Sequence, residues 1–293
     1  EWRVINAAEY GYQQRRRRTF IFAYRNDTKY AEDVADAIQY INKSKLEENR
    51  QSMNRVLVHD GFFAETFPVY DVDSKRMKIV ELPEGIGELS EEFEFNFENT
   101  GVMKDGVVYT TKTMPKYEGN VTTLGDIMEK EEVDKKYFIP KEKLYYTNPN
   151  ITHSDETHGK LPKEERQTWQ YIKGAKKLAR KSSGGHEYIF SEGAIPMVDD
   201  EDKPARTMLT SEGGFNRSTH IVKDKKTGNI RLLTAGETER IQGFPTDHTK
   251  YCLVNGETVE MPLNKRRFMM GNALVVNLIA DMEETLDKIF EKE

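Results

Sequence analysis

Four consecutive arginines, Arg15, Arg16, Arg17 and Arg18, follow Gln13 and Gln14 in the stretch EYGYQQRRRRTF, in a chain whose formal net charge is −6. In an extended segment successive side chains point to opposite faces, so Arg16 and Arg18 share one face and Arg15 and Arg17 the other. Paired guanidinium forks match phosphate oxygens or the acceptor edge of a base, a geometry that lysine cannot reproduce. Taken alone, the run equally fits a solvated basic patch or a nuclear-localisation-like tract.

Two further constellations lie near the carboxyl end. In RLLTAGETERIQGFP, residues 231–245, Thr234 and Glu237 have capping-box spacing and predict a helix from Ala235 to about Gln242, ended by Gly243 and Pro245. Glu237 and Arg240 stand at i, i+3, which is a structural pairing and no catalytic one. In RRFMMGNALVVNLIADM, Gly271, Asn272 and Ala273 are expected to enter a long terminal helix, where small residues would let a ligand approach free backbone amides. An ordinary Asn cap is the plainer account.

The elements that must position these residues follow from periodicity. Trp2, Val4 and Ile5 read as the end of a strand without obvious partners nearby, so the chain looks as if it begins mid-domain. RTFIFAY reads as a buried strand. TKYAEDVADAIQYI places Val34, Ala37, Ile38 and Ile41 at helical spacing, with Thr28 as N-cap. RVLVHDGFF and FPVYDV read as strands. EEFEFNFEN alternates Phe93, Phe95 and Phe97, and with an Asp105-Gly106 turn in MKDGVVYTTKT suggests a half-buried hairpin. Thr123 caps a short helix. KEERQTWQYIKGAKKLARKS reads as a second helix stopped at Gly184-Gly185, whose basic end, Lys176, Lys177, Arg180 and Lys181, either complements the helix dipole or contacts DNA phosphates. Val275, Leu278, Ile279, Met282, Leu286, Ile289 and Phe290 form the apolar stripe of a terminal helix.

Composition narrows the class. At 293 residues with 37% hydrophobic and 32% charged side chains, the chain can bury a core, and no run approaches the ~20 apolar residues of a membrane span. One cysteine, Cys252, excludes an internal disulfide framework and a multi-cysteine zinc site.

In this order, the three constellations resemble the closing motifs of the DNA cytosine-5 methyltransferases. NAAEYGYQQRRRRTFIF is similar to the eighth motif, with Gln13 in place of the usual Pro and Arg17 where many members carry an acid. RLLTAGETERIQGFP is similar to the ninth at every defining position, and GNALVVNLI to the tenth. The long span between the eighth and ninth falls where this family carries its variable target-recognition region; TLGDIMEKEEVDKKYF and PARTMLTSEGGFNRSTHIV add looser similarity there.

The resemblance implies that Arg18, with Arg16 beside it and Gln14 ordering them, contacts an extruded cytosine, while Arg15 and Arg17 add phosphate contacts. It implies that Asn272, Gly271 and Ala273 line the S-adenosylmethionine pocket, and that Thr207, before Met208, lies near the flipped nucleotide. The ninth motif would organise the recognition domain. Within that domain TSEGGFNRSTH, residues 210–220, is expected to read bases through Thr210, Ser211, Asn216, Arg217, Ser218 and His220, with a plain hairpin turn as the competing account.

The implied architecture is an α/β remnant, the end of a methyltransferase sheet, over residues 1–26. A large mixed α+β recognition domain with irregular loops follows over 27–262, and a helix over 263–293 packs back on the catalytic domain. The family's Pro-Cys nucleophile, Glu-Asn-Val glutamate and glycine-rich cofactor motif are not found. Cys252, in TKYCLVNGE, has no Pro before it. The chain alone is therefore expected to be inactive, with a missing catalytic half and double-stranded DNA as partners, in a bacterial or phage cytoplasm. The rival classes are a non-catalytic DNA-binding module and a protein-interaction domain with accidental motif-like strings.

Overall fold

Residues 2–6 alternate in burial, with Arg3 and Ile5 inward and Trp2, Val4 and Asn6 partly open, and they form strand β1 (Trp2–Asn6). In the computed structural model, which describes residues 1–38, 46, 49–83, 85, 87 and 94–293, the chain divides into two compact units. One comprises Glu1–Val121 with Val275–Glu293, the other Thr122–Leu274. These limits differ from the 26/27 and 262/263 divisions expected above.

The first unit is built on a five-stranded antiparallel sheet of order β2-β1-β4-β5-β3, with β2 at Arg17–Ile21, β3 at Lys78–Glu81, β4 at Thr100–Lys104 and β5 at Val107–Thr111. The partners of β1 are β2 and β4, so three strands from residues 78–111 belong to the same sheet as the arginine tract. That is why the unit extends well past residue 26. Strand β2 is an edge strand, half exposed, and not the buried strand its composition suggested.

One face of β1 and β2 is covered. Ile5, Phe62, Phe63, Phe67, Leu278 and Met282 form its core, with Phe20 and Phe22 packed against it. Arg3 lies at its centre, where its guanidinium donates to the carbonyls of Phe63 (2.8 Å), Phe67 (2.6 Å) and Leu57. These oxygens lie in or just past helical turns, so a buried cation ties β1 to the segment 50–67. On the opposite face Trp2, Val4, Thr19 and Ile21 join Phe97, Met103 and Val108 around an open hollow of about 650 Å³.

RVLVHDGFF is helical. Arg50–Arg55 and Phe62–Thr66 are α-helical and Val56–Asp60 is a π turn, because Met53, Val56 and Leu57 repeat at three and four residues and bury one stripe. FPVYDV makes an isolated bridge, Val69 to Pro115. Helix Lys29–Ile38 is capped by Thr28, whose Oγ1 accepts from the Ala31 amide at 3.1 Å. Ile41 and Phe93 lie outside the described residues. Phe95 and Phe97 are not on a strand; Phe97 stacks edge-on against both Trp2 and Phe95.

The second unit is mixed α+β with long irregular segments. Its core gathers Leu124, Met128, Met208, Val222, Leu233, Ile241 and Met270. Strands β6 (Lys176–Lys181) and β7 (Glu187–Glu192), β8 (Ile221–Lys223) and β9 (Ile230–Leu232), and β10 (Tyr251–Val254) and β11 (Glu257–Glu260) form three separate two-stranded sheets. The expected basic helix is thus a short helix, Trp169–Lys173, followed by a strand. Thr168 caps the helix, and Gly174 ends it in extended backbone, so Lys177, Arg180 and Lys181 ride on β6. The expected single terminal helix is two, Leu263–Asn272 and Val276–Phe290, interrupted at Ala273, whose backbone is extended. Of the predicted stripe, Leu278 and Met282 are buried, whereas Phe290 is 68% exposed.

Candidate functional site

The arginine tract alternates as strand geometry requires: Arg16 is buried and Arg18 half-buried, while Arg15 and Arg17 are exposed. The register fixes this, pairing Ile5 with Arg18 and Asn6 with Arg17, and the Ala7 amide donates to the Arg16 carbonyl at 3.1 Å. A 3-10 turn over Ala7–Tyr10 and Gly11, in the left-handed region at φ +89°, turns the chain toward β2. A β-carbon at Gly11 would strike the Tyr117 ring.

Gln13 and Gln14 are buried. Gln14 Oε1 accepts from Arg16 Nη1 at 3.4 Å, and Gln14 Nε2 is buried without a hydrogen-bond partner among the described residues. Burial, and secondarily the charge of Arg18, lowers the Arg16 guanidinium to about 10, so it stays cationic at neutral pH. Arg18 Nη1 donates to the Arg17 carbonyl at 2.8 Å. The arrangement places two adjacent cations and an amide donor on one face, able to donate to an anion or to acceptor atoms of a base.

The stretch 231–245 is a buried brace. Thr234 and Glu237 form the expected capping box on helix Ala235–Ile241. Glu237 pairs with Arg231 through Nη1 and Nη2, at 2.7 and 2.8 Å, instead of with Arg240. Arg231 also donates to Asp224 at 3.0 Å, and Arg240 turns to Glu129 at 2.7 Å and to the Ile127 carbonyl at 2.7 Å. Glu239 accepts from Arg266 at 2.8 Å. Burial pushes the Glu239 carboxyl up, but the bonds from Thr249 and Arg266 outweigh it and hold it below its usual range.

Gly271-Asn272-Ala273 differs from the expectation most. Gly271 and Asn272 end a helix and do not begin one. A β-carbon on Gly271 would lie 2.4 Å from the backbone of Leu209 and Thr210, so the protein's own chain fills the space that the missing side chain leaves. Asn272 is exposed and Ala273 partly so. Packing against Leu209 and Thr210 thus accounts for Gly271 without a ligand, whereas Asn272 and Ala273 stay open to solvent.

In the segment 205–221, Met208 is wholly buried, Thr207 partly buried, and Thr210, Ser211 and Asn216 exposed. Asn216 Oδ1 accepts from the Ser218 amide (3.0 Å) and Oγ (2.8 Å), bracing the turn. Arg217 does not reach out freely; it is in an ion pair with Glu192 and donates to the Gly193 carbonyl at 2.6 Å. His220 is also a correction to the surface role expected of it. The residue is wholly enclosed, its Nδ1 2.9 Å from Glu212 and its amide donating to the same carboxylate.

Beneath the loop lie residues that the sequence did not single out. Lys173 Nζ donates to the Thr219 carbonyl at 2.8 Å, and Arg206 donates to the carbonyls of Ser218 (3.1 Å) and Thr219 (3.2 Å) while paired with Asp199. Burial lowers the Lys173 ammonium to about 8. No local spacing joins Lys173, Asp199, Arg206 and Glu212. Cys252 is half-buried on β10, and no group of metal-ligating side chains is present among the described residues.

The chain is 38% identical over 290 residues to the type II methyltransferase M.Sau3AI of Staphylococcus aureus, covering 99% of this chain and 58% of that protein. The chain thus spans somewhat over half the length of this relative. A solved methyltransferase of Entamoeba histolytica, EhMeth, aligns over 83% of this chain and 57% of its own at 11% identity, with a TM-score of 0.33. The model of the C-5 cytosine-specific DNA methylase family matches residues 1–288, and the chain belongs to that family.

Proposed function

We propose that the chain supplies the base-holding and target-recognition parts of a type II, restriction–modification DNA cytosine-5 methyltransferase. Arg18 and Arg16, ordered by Gln14, donate to the acceptor edge of a cytosine drawn out of the duplex, and Arg15 and Arg17 on the opposite side meet phosphates. Extrusion costs a few kcal/mol, which such contacts offset. The observation that carries this reading is the inward placement of Arg16 and Arg18 beside the buried Gln14 Nε2, which has no hydrogen-bond partner among the described residues. The 122–274 unit serves as target-recognition domain, with its ninth-motif brace holding the 205–221 segment in which Thr207, Thr210, Ser211, Asn216 and Ser218 face the DNA.

The family takes its methyl group from S-adenosylmethionine. Gly271 is explained by packing against Leu209 and Thr210, and Asn272 and Ala273, open to solvent, are the residues of this chain that would line its pocket. Attack on carbon 6 of cytosine needs a thiolate, and Cys252 lies on a hairpin without the family's Pro-Cys context; the nucleophile therefore comes from outside these 293 residues. The purified chain is expected to bind duplex DNA in a salt-dependent way and to transfer no methyl group alone. In an active assembly Arg18→Ala should lower kcat far more than it raises KM. Methyl transfer by the chain alone would overturn the external nucleophile, and an unchanged kcat would overturn the role of Arg18. The same packing at Gly271 favours a second reading, a non-catalytic DNA-binding module, which restoration of activity by a protein carrying the Pro-Cys motif would exclude.

A further inference from the structure

Residues 176–192 form a two-stranded ribbon in continuous register from Lys176 opposite Glu192 to Lys181 opposite Glu187. Its base is anchored. Lys176 is buried, with its Nζ donating to the carbonyls of Gly174 (2.9 Å) and Tyr171, and Glu192 is held by Arg217. Beyond the base, every residue from Lys177 to Ile189 is exposed except Leu178, which is partly buried. The tip closes through the Ser182 amide on the His186 carbonyl at 2.8 Å, with Gly185 in the left-handed region.

A lone two-stranded ribbon gains little from its own packing, so the side chains it displays reflect what it meets. Lys177 and Lys181 lie on one face with Ile189, and Arg180 lies on the other with Tyr188 and Phe190. The Arg180 guanidinium sits 3.7 Å over the Phe190 ring, which orients the fork while leaving it open to solvent. None of Lys177, Arg180 and Lys181 is in an ion pair among the described residues. A membrane or an apolar protein groove would favour cations on one face and apolar residues on the other. Here cations occupy both faces, which fits a ligand that presents negative charge from two sides.

We infer that the β6–β7 ribbon is a double-stranded DNA contact element that lies in the major groove, with Lys177 and Lys181 on the phosphates of one wall and Arg180 on those of the other. Strands about 4.8 Å apart make a ribbon that a groove ~12 Å wide admits, and six residues span about 20 Å along it. The inference rests on the reading of the chain as part of a DNA methyltransferase, and it adds a surface distinct from the 205–221 segment.

The test is equilibrium binding of the whole chain to a labelled duplex of mixed sequence between about 50 and 200 mM salt. The combined variant Lys177→Ser, Arg180→Ser, Lys181→Ser should bind roughly tenfold or more weakly, with the magnitude of its log–log salt slope reduced by about 2 to 3. Glu187→Lys should bind more tightly, a gain that unfolding could not produce, with a slope steeper by about 1. If both variants keep the affinity and slope of the unaltered chain, the ribbon assignment fails and DNA binding elsewhere stands. If the unaltered chain shows no salt-dependent binding, the methyltransferase reading fails and takes the ribbon with it.

Discussion

Arg231 and Glu237 meet as a wholly buried, two-pronged ion pair at 2.7 and 2.8 Å. The same carboxylate accepts the Thr234 amide at 2.8 Å and the Glu129 amide at 2.7 Å, so one side chain joins strand β9, a helix start and the chain after helix Leu124–Ile127. Removing one partner strands the other charge away from water.

Glu237→Gln should therefore destabilise the 122–274 unit by about 3–5 kcal/mol, read from urea unfolding. A loss under ~0.5 kcal/mol, the range of an ordinary surface change, would show that the pair braces nothing.

Gly271→Ala separates packing from ligand binding. A methyl group there meets the backbone of Leu209 and Thr210, which cannot swing aside, so stability should fall by about 1–3 kcal/mol without any cofactor present. An unchanged melting temperature would return the glycine to a ligand-facing role.

The acid limb of stability follows from four carboxyls. In Asp199, Asp224, Glu239 and Asp247 burial acts upward but is outweighed by hydrogen bonds and cations, from Arg206, from Thr227 and Arg231, from Thr249 and Arg266, and from Arg266 and Lys250 respectively. Each is held below its ordinary 3.8 or 4.5, so its contribution is complete above about pH 4.5 and is lost as pH falls below that. Arg266→Met should flatten the acid dependence of unfolding; an unaltered profile would refute the coupling of Arg266 to Glu239 and Asp247.

Lys173 predicts the alkaline limb with the opposite origin. Its folded value near 8 lies below the ordinary 10.5, so between these limits the unfolded chain binds more protons and stability rises with pH. Relative to Lys173→Met, the unaltered protein should gain about 2–3 kcal/mol between pH 8 and 10. A constant difference across that range would mean that the ammonium is not buried beneath Thr219.

Local signals were legible in the sequence and distant ones were not. The β1 and β2 strands, the Thr28 cap, the Asp105-Gly106 turn and the Thr123 and Thr234 capping boxes each depend on a few adjacent residues. RVLVHDGFF misled because β-branched residues at positions 56 and 58 favour a strand, while burial beneath the sheet selects the helical stripe through Met53 and Leu57. The ribbon 176–192 was hidden because LARKS continues a helical pattern past Gly174, and its pairing with residues 187–192 is not visible in either strand alone. The carbonyl cage around Arg3 and the cluster under residues 218–220 join positions about 50 residues apart, which no spacing rule reaches. The arginine tract was readable as alternation; that Gln14 would be buried beside Arg16 was not, since it depends on the turn at Gly11.

Four identical side chains in succession also make the tract indifferent to phase. Were β2 to slide by one position along β1, a guanidinium would still arrive on the inward side, because either parity delivers arginine. Discrimination between correct and shifted alignments thus falls to the downstream aromatics: Phe20 and Phe22 pack against the core, and a slide would exchange them for Thr19 and Ile21. The chemistry of the grip is tolerant, and its alignment is policed by grease.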